Sequence, residues 1–291
     1  MENKDQIIKF LAYDGKVSFT FCRSSYLVEK ARKIHDLGPT ATAALGRMLT
    51  MASIMGSNLK GSNDTITIQI KGNGPIGNVL ATANFFPKVK GYVSNPLVEV
   101  PFKENGKIDV ASAIGTEGFL YIIKDIGLKE PYIGTVPIVS GEIAEDFVHY
   151  FAVSEQTPSA VALGVLVDKN GVKTSGGYML TPMPDCPESV ISKIEENLKK
   201  IKPISQLLEE KEEILEIAKL VTGDAQIKPI EENIIPVYEC SCSRERIRQG
   251  IISLGKEEIQ KIIQEDQKAE VTCHFCNQQY VFSKQELEQM I

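Results

Sequence analysis

The chain of 291 residues has no tryptophan, only three histidines, and no apolar run of the ~18 residues that a membrane-spanning helix needs. So few histidines leave little from which to build a hydrolase or a histidine-rich metalloenzyme. Residues 1–6 are polar and mixed in charge, unlike a signal peptide. The sequence shows no P-loop motif, so an ATP-driven cycle is not expected. We therefore expect a cytoplasmic protein with no membrane partner, in a compartment where thiols stay reduced.

Basic residues are also in the minority. There are 32 lysines and arginines against 38 aspartates and glutamates, so the formal net charge is −6. Affinity for nucleic acid comes largely from neutralisation of phosphates by Lys and Arg, so this balance argues mildly against nucleic acid as a partner. The hydrophobic fraction of 43% is ordinary for a globular protein, and the length suffices for two or three structural units.

Residues 1–182 predict an α+β core domain in which helices pack on an antiparallel sheet. Residues 16–21 alternate like a half-buried strand, and Asn73-Gly74 and Asn170-Gly171 are hairpin turn signals. The methionines of residues 40–59 fit a helix that packs in the core better than an adaptable binding surface. The predicted strands cover residues 16–21, 65–70, 79–83, 119–124, 132–139, 160–167 and 172–180, and the predicted helices cover 26–36, 40–59 and 141–154.

Composition changes at the end of this domain. Residues 187–222 contain no glycine and are densely charged, with apolar residues at helical spacing. This pattern predicts two or three amphipathic helices without a core of their own, in a linker that spans residues 183–232. We expect their apolar stripes to rest on the first domain. An ordinary helical subdomain is the alternative.

Four of the six cysteines lie in the last segment, residues 233–291, as Cys240-x-Cys242 and Cys273-x-x-Cys276 with 30 residues between the pairs. Two close pairs joined by a loop predict a tetrahedral site of four thiolates. Soft thiolates favour zinc, one ion per chain, although iron–sulfur clusters also use four cysteines. A domain this small usually needs a metal or bridges to fold, so metal binding should contribute folding free energy.

Two details favour a redox switch over a fixed structural site. Only Ser241 separates Cys240 from Cys242, and a disulfide between cysteines so close would be strained and readily reduced. Nearby cations also favour thiolates, and three arginines follow the first pair, although a solvated helix face is the alternative for them. These arginines are Arg244, Arg246 and Arg248.

The remainder of the last segment predicts a small α+β unit around the cysteines. Residues 257–263 predict a helix, and residues 280–282 a return strand that places the Cys-x-x-Cys motif on a hairpin turn. Ser283 and Glu286 have the spacing of a capping box. His274 lies between two cysteines, and since four sulfurs already fill the site we predict that it faces solvent or lies beside the cysteines without being a ligand.

Other patterns carry weaker signals. Residues 72–77 match G-x-G-x-x-G, but the segment after them alternates like a strand, which favours a hairpin over a dinucleotide site. The spacing of Glu145 and Asp146 from His149 favours surface pairs over acid–base chemistry. The two remaining cysteines are predicted to be ordinary thiols, Cys22 packed on a strand and Cys186 in a loop.

The cysteine pattern near the C-terminus resembles that of the 33 kDa chaperonin family, the redox-regulated heat-shock chaperones. The likeness extends over most of the chain, although the cysteines are its most specific part. The other matching blocks are residues 65–77, which resemble the family's hairpin, residues 132–136, 143–146 and 154–156, which resemble its central block, and residues 175–180 with Pro184.

The resemblance implies a holdase chaperone that needs no ATP and is not an enzyme. In its reduced, inactive form zinc is held by Cys240, Cys242, Cys273 and Cys276. Oxidants form the disulfides Cys240–Cys242 and Cys273–Cys276, zinc leaves, and the small domain and linker unfold. Homodimers form, and the exposed apolar surface, in the linker or in the core, holds unfolding client proteins.

Two other functions stay open. A binding module with a structural zinc ribbon, for example for nucleic acid, predicts thiols that resist peroxide while the protein is folded; the acidic pI of about 5.3 disfavours it. An oxidoreductase that uses the Cys273-x-x-Cys276 motif predicts turnover of a small disulfide. Metal occupancy would block those thiols.

Overall fold

The computed structural model describes residues 3–211 and 213–291. Met1 and Glu2, in the polar N-terminal stretch, and Glu212, in the predicted linker, lie outside the described residues. The chain divides into two compact units, of which the first ends at Tyr238 and the second is Glu239–Ile291. Within the described ranges, no helix is both long enough and apolar enough to cross a membrane. Antiparallel sheets with packed helices confirm the predicted α+β class.

The first unit contains two sheets. More than half of their strand pairs join strands that follow one another along the chain. The strands of the five-stranded sheet are β1 (Gln6–Ala12), β2 (Val17–Arg23), β8 (Ala160–Asp168), β9 (Gly171–Pro182) and β10 (Lys228–Ile234). Their order in the sheet is β10-β1-β2-β9-β8, and all neighbours are antiparallel.

The strands of the six-stranded sheet are β3 (Thr65–Gly72), β4 (Asn78–Asn84), β5 (Lys88–Val93), β6 (Gly118–Asp125), β7 (Tyr132–Pro137) and β11 (Val237–Tyr238). Their order is β11-β5-β4-β3-β6-β7, and the sheet is antiparallel except at its β11 edge. The G-x-G-x-x-G stretch forms the turn between β3 and β4, so the predicted hairpin is confirmed.

A central helix, α2 (Pro39–Ser57), packs against strands of both sheets. Pro39 suits its first turn because the missing N–H would have no helical partner there. Met48 and Met51 are fully buried, which confirms the predicted core role of the methionines in this helix, and a helix that is apolar all round belongs in a core. The other helices of this layer are α1 (Ser25–His35), α3 (Val110–Ile114) and α4 (Ala144–Val153).

The predicted linker forms three helices, α5 (Glu188–Leu198), α6 (Ile204–Glu210) and α7 (Ile214–Thr222). Their apolar side chains share one buried cluster with side chains of the five-stranded sheet, which confirms that the stripes rest on the first domain. The cluster includes Phe10, Phe19, Phe21, Tyr178, Ile194, Leu207, Leu208, Ile217 and Val221.

These helices explain why the prediction of a half-buried β2 was wrong. Phe19 and Phe21 are fully buried in the cluster under the linker helices. Cys22, on the opposite face of β2, is fully buried in the cluster that contains α1 and α2. Both faces of the sheet are therefore covered at this strand, and Cys22 packs in the core as predicted.

The second unit has a small core of its own. Its elements pack around a few apolar side chains, namely Ile251, Ile259, Ala269, Phe282 and Leu287. The predicted helix, return strand and capping box are confirmed, and in the capping box Ser283 accepts a hydrogen bond from the Glu286 amide. The elements are α8 (Arg244–Ile252), α9 (Lys256–Glu265), β12 (Lys268–Thr272), β13 (Gln279–Ser283) and α10 (Lys284–Glu288).

Candidate metal centre

The second cysteine pair lies on the turn between β12 and β13, as predicted. Cys273 closes the turn by donating its amide to the Gln278 carbonyl, with N and O 3.0 Å apart. Its own carbonyl accepts from the amides of Cys276 and Asn277 at 3.3 and 2.8 Å. Asn277 has a φ of 57°, a left-handed conformation that Asn tolerates well. This backbone arrangement directs both cysteines of the motif to one side of the hairpin tip.

The first pair lies in the extended segment before α8. Ser243 caps α8 by accepting a hydrogen bond from the Arg246 amide. The Arg246 guanidinium reaches back and donates to the carbonyl and the hydroxyl of Ser241, at 3.0 and 2.8 Å. These contacts hold the residue between Cys240 and Cys242, and they place one positive charge beside the pair.

The four sulfurs converge, and all lie within 4.8 Å of one another. Sγ of Cys240 is 3.7 Å from that of Cys273, and Sγ of Cys242 is 3.4 Å from that of Cys276. Zn–S bonds of ~2.3 Å in a tetrahedron put sulfurs about 3.8 Å apart, whereas a disulfide needs about 2.05 Å. All four cysteines are free thiols here, and their spacing fits a single thiophilic cation.

Tyr280 is part of the site, although it was not among the predicted site residues. Its hydroxyl donates to Sγ of Cys242 at 3.1 Å. Partial burial would raise the pKa of Cys242, but the hydrogen bonds from Tyr280 and the other thiols outweigh burial and lower that pKa to about 7. Partial burial, together with hydrogen bonds to the other thiols, raises the pKa of Cys276 to about 12. The cluster therefore holds negative charge most easily on Cys242, and a cation would be needed to hold it on all four sulfurs.

Three arginines were expected to favour the thiolates, but two of them are paired with carboxylates. Arg244 donates to Glu286 at 2.6 Å and lies over the Phe282 ring, 4.3 Å from its centroid. Arg248 pairs with Glu245. Carboxylates therefore oppose the charges of Arg244 and Arg248. Arg246 is the arginine that donates hydrogen bonds to Ser241, the residue between Cys240 and Cys242.

Other residues singled out from the sequence lie outside this cluster. His274 is exposed, as predicted, and is not among the four converging donors. Cys186 is a partly exposed loop thiol, also as predicted. The predicted surface pairing of Asp146 is wrong, because its buried carboxylate accepts backbone amides at the start of α4. These come from Val139, Ser140, Gly141 and Ile143.

Comparison with known proteins matches this chain along nearly its whole length. The family model described as Hsp33 protein matches residues 5–283. The 33 kDa chaperonin of Clostridioides difficile (strain 630) is 46% identical over 288 residues, 99% of each chain. That of Bacillus cereus (strain AH187) is 47% identical over 289 residues, again 99% of each chain.

A solved structure is similar as well. The crystal structure of the 33 kDa chaperonin (heat shock protein 33 homologue) of Thermotoga maritima superposes with a TM-score of 0.90 at 41% sequence identity. The match covers 98% of this chain and 97% of that one. The fold and the sequence therefore point to the same relatives.

Proposed function

The chain belongs to the Hsp33 family, and on that basis we propose that it is a redox-regulated holdase chaperone that works without ATP and is not an enzyme. The observation that carries the proposal is the convergence of four free thiols within 4.8 Å in a unit with a very small core. Such a unit depends on what its sulfurs bind, so a change in their chemistry changes its fold.

In the reduced state we propose that Cys240, Cys242, Cys273 and Cys276 hold one Zn²⁺ per chain. Bound zinc would neutralise the thiolates and cross-link the segment before α8 to the β12–β13 hairpin. The hydrogen bond from Tyr280 orients Cys242 for this role, and Arg246 holds the first pair in place. The cysteines thereby keep residues 239–291 folded, and the chaperone is inactive.

Oxidation is the proposed signal. Four thiolates lose four electrons and form two S–S bonds, Cys240–Cys242 and Cys273–Cys276, while two molecules of hydrogen peroxide take up those electrons with four protons and become four waters. A disulfide sulfur is a poor metal ligand, so consumption of the thiolates releases the metal ion. The apolar core of this unit includes Ile251, Ile259 and Phe282 among few others, which is too little to keep it folded alone.

Unfolding of the zinc-binding domain, proposed as residues 233–291, would loosen the linker at 183–232 from the core domain at 1–182. The linker and the five-stranded sheet share one apolar cluster, so their separation would expose apolar side chains of both. That surface is the proposed site for unfolding client proteins, in a homodimer of the oxidised chain. In the reducing cytoplasm the four cysteines would stay reduced, so the chaperone would be inactive there until an oxidant appears.

The proposal is tested by the aggregation of a chemically unfolded client, followed by light scattering in buffer without ATP. We expect the peroxide-treated protein to suppress aggregation and the reduced, zinc-loaded protein not to do so. Equal suppression in both states would contradict regulation, and thiols that resist peroxide in the folded protein would favour a structural zinc module. Cys186→Ser is the matched control, because it removes a thiol outside the cluster.

A further inference from the structure

The segment of residues 228–238, here called the strap, occupies an edge of each sheet in the first unit. It begins with β10, which pairs antiparallel with β1, and ends with β11, which pairs in parallel with β5. Among the described residues, the strap is the segment that pairs with β1 on this side, since the strand order there is β10-β1-β2. Two residues after Tyr238, the chain reaches Cys240.

The strap contacts β1 mainly through its main chain. Residues 228–233 are exposed, and Ile234 is only partly buried. Ile230 keeps 59% of its surface exposed, which is unusual for an apolar residue in a packed strand. Pro229 and two irregularities in the register are tolerated opposite β1. The edge therefore accepts an extended backbone with little selection for its side chains.

A few side chains fasten the strap. Near its start, Glu231 pairs with Lys9 at 2.7 Å, and Lys9 also donates to the carbonyl of Ser57. At its end, the buried Tyr238 hydroxyl donates to the Gly91 carbonyl at 2.8 Å and contacts Nε2 of His35 at 2.9 Å. The β10 part of the strap is thus held by its main chain and one ion pair, whereas the end of the strap is held by Tyr238, which is buried in the apolar core.

Departure of the strap would leave β1 and β5 as open edges. β1 is flanked by buried apolar side chains on both faces, with Ile7 in one cluster and Ile8 and Phe10 in the other. A cavity of about 560 Å³ beside β10 is lined by the apolar Ile8, Phe10 and Ile214 and also by charged residues, among them Lys4, Arg23 and Glu213, so it has room for a long side chain of an added strand. An open edge between apolar faces is a template for strand addition.

We propose that the strap is an internal substitute for the client, and that the edge of β1 binds extended, apolar segments of unfolding chains by strand addition once the strap has left. This inference rests on the proposed function, because oxidation of the cysteines that directly follow the strap is the event that frees it. Binding through main-chain hydrogen bonds would suit clients that share no sequence.

Hydrogen exchange of the full-length protein tests the proposal. The probe is a short peptide of alternating valine and lysine, and the control is the same peptide with alternate amides N-methylated, which keeps the side chains and removes donors. We expect those amides of Gln6–Ala12 that face β10 to exchange at least about tenfold faster after oxidation and to be protected again by the probe. The N-methylated peptide should bind at least about tenfold more weakly.

Three results would overturn it. The first is equal binding of both peptides, which would mean recognition by side chains, and the second is binding that leaves Gln6–Ala12 unprotected. The third is protection that depends on protein concentration without peptide, which would mean that a second copy's strap fills the edge. If the oxidised protein suppresses aggregation while β1 stays protected, the strap proposal alone fails. If it neither releases metal nor suppresses aggregation, the proposed function fails.

The anchor at Tyr238 supplies a matched pair of variants. Tyr238→Phe removes the hydroxyl that bonds Gly91 and keeps the ring, whereas Tyr132→Phe removes the exposed hydroxyl that contacts Ser154. We expect only Tyr238→Phe to accelerate exchange in Lys88–Val93 of the reduced protein, by about tenfold. If Tyr238→Phe does not fold, Glu231→Gln replaces it, with Glu232→Gln as the control. We then expect only Glu231→Gln to accelerate exchange in Gln6–Ala12, because Glu231 pairs with Lys9. Unchanged exchange in the folded variant would contradict the anchoring role.

Discussion

The hydroxyl of Tyr280 lies 3.1 Å from Sγ of Cys242 and donates to it. The two residues come from different parts of the second unit, β13 and the segment before α8, so this hydrogen bond joins the two halves of the cysteine site. Groups that hydrogen bond to a metal ligand orient it and tune its basicity. Tyr280 is therefore expected to strengthen metal binding without being a ligand.

Replacement of Tyr280 by phenylalanine tests this role. Tyr280→Phe should weaken zinc binding by about 10-fold or more, because Cys242 loses the donor that stabilises its thiolate. The measurement is competition with a chromophoric chelator. Tyr132→Phe is the control, since its hydroxyl contacts Ser154 in the first unit. Equal zinc affinity in wild type and Tyr280→Phe would contradict the role.

Removal of one sulfur should abolish the metal-dependent fold. We expect Cys276→Ser to lose stoichiometric zinc and the protection of β12 and β13 amides against exchange, because three thiolates leave the tetrahedral set incomplete. Cys186→Ser should keep both, because Cys186 lies outside the cluster. A folded second unit in metal-free Cys276→Ser would show that the metal is dispensable for folding.

The docking of the linker can be weakened without touching the cysteines. Ile217 of α7 is fully buried against the five-stranded sheet, and Ile217→Ala should cost about 2–5 kcal/mol of packing free energy. The reduced variant should then bind a dye specific for exposed apolar surface. Leu220→Ala, on the same helix but 41% exposed, should not. Equal dye binding by both variants would contradict a clamped linker.

The stability of the first unit should fall in acid through Glu29. Bidentate hydrogen bonds from Arg32, together with the Val172 amide, lower the pKa of the largely buried Glu29 from 4.5 to about 2. A carboxylate with a depressed pKa in the folded state stabilises above its unfolded pKa, and this contribution disappears as the pH falls from about 4.5 toward 2.

A pKa shift of this size corresponds to about 3 kcal/mol of stability. Urea unfolding of the wild type and Glu29→Gln, followed by far-UV circular dichroism at several pH values, measures it. We expect Glu29→Gln to be less stable near neutral pH and to approach the wild type in acid. A difference that does not change with pH would rule out the titration of Glu29 as its cause.

The sequence predicted those elements whose side-chain pattern matches their surroundings. The β3–β4 hairpin was predictable because its alternation agrees with its burial, and the β8–β9 hairpin because Asn170-Gly171 lies where the chain turns between the two strands. β1 was not predicted, because Ile7 and Ile8 are both buried and alternation is lost when both faces of a strand are covered. β10 was not predicted either, because its exposed, charged side chains carry no pattern and its pairing is made by the backbone.

The residues of the site also differ in whether a local sequence pattern predicts them. Four cysteines at short spacings predicted the cluster, because ligands close in sequence need only one loop to meet. Tyr280 was predicted as part of a strand, but its contact with Cys242 depends on how β13 faces the segment before α8, which no local pattern encodes. Asp146 likewise looked like a surface residue on α4, although the chain before the helix folds over it.

We propose that loss of the four-thiolate site activates the chaperone. The most direct test is one time course of peroxide treatment in which released zinc, free thiols and suppression of client aggregation are measured on the same samples. We predict that one zinc per chain and four thiols are lost together and that suppression appears on the same time scale. Suppression that is complete before zinc is released, or zinc release that leaves the protein inactive, would contradict it.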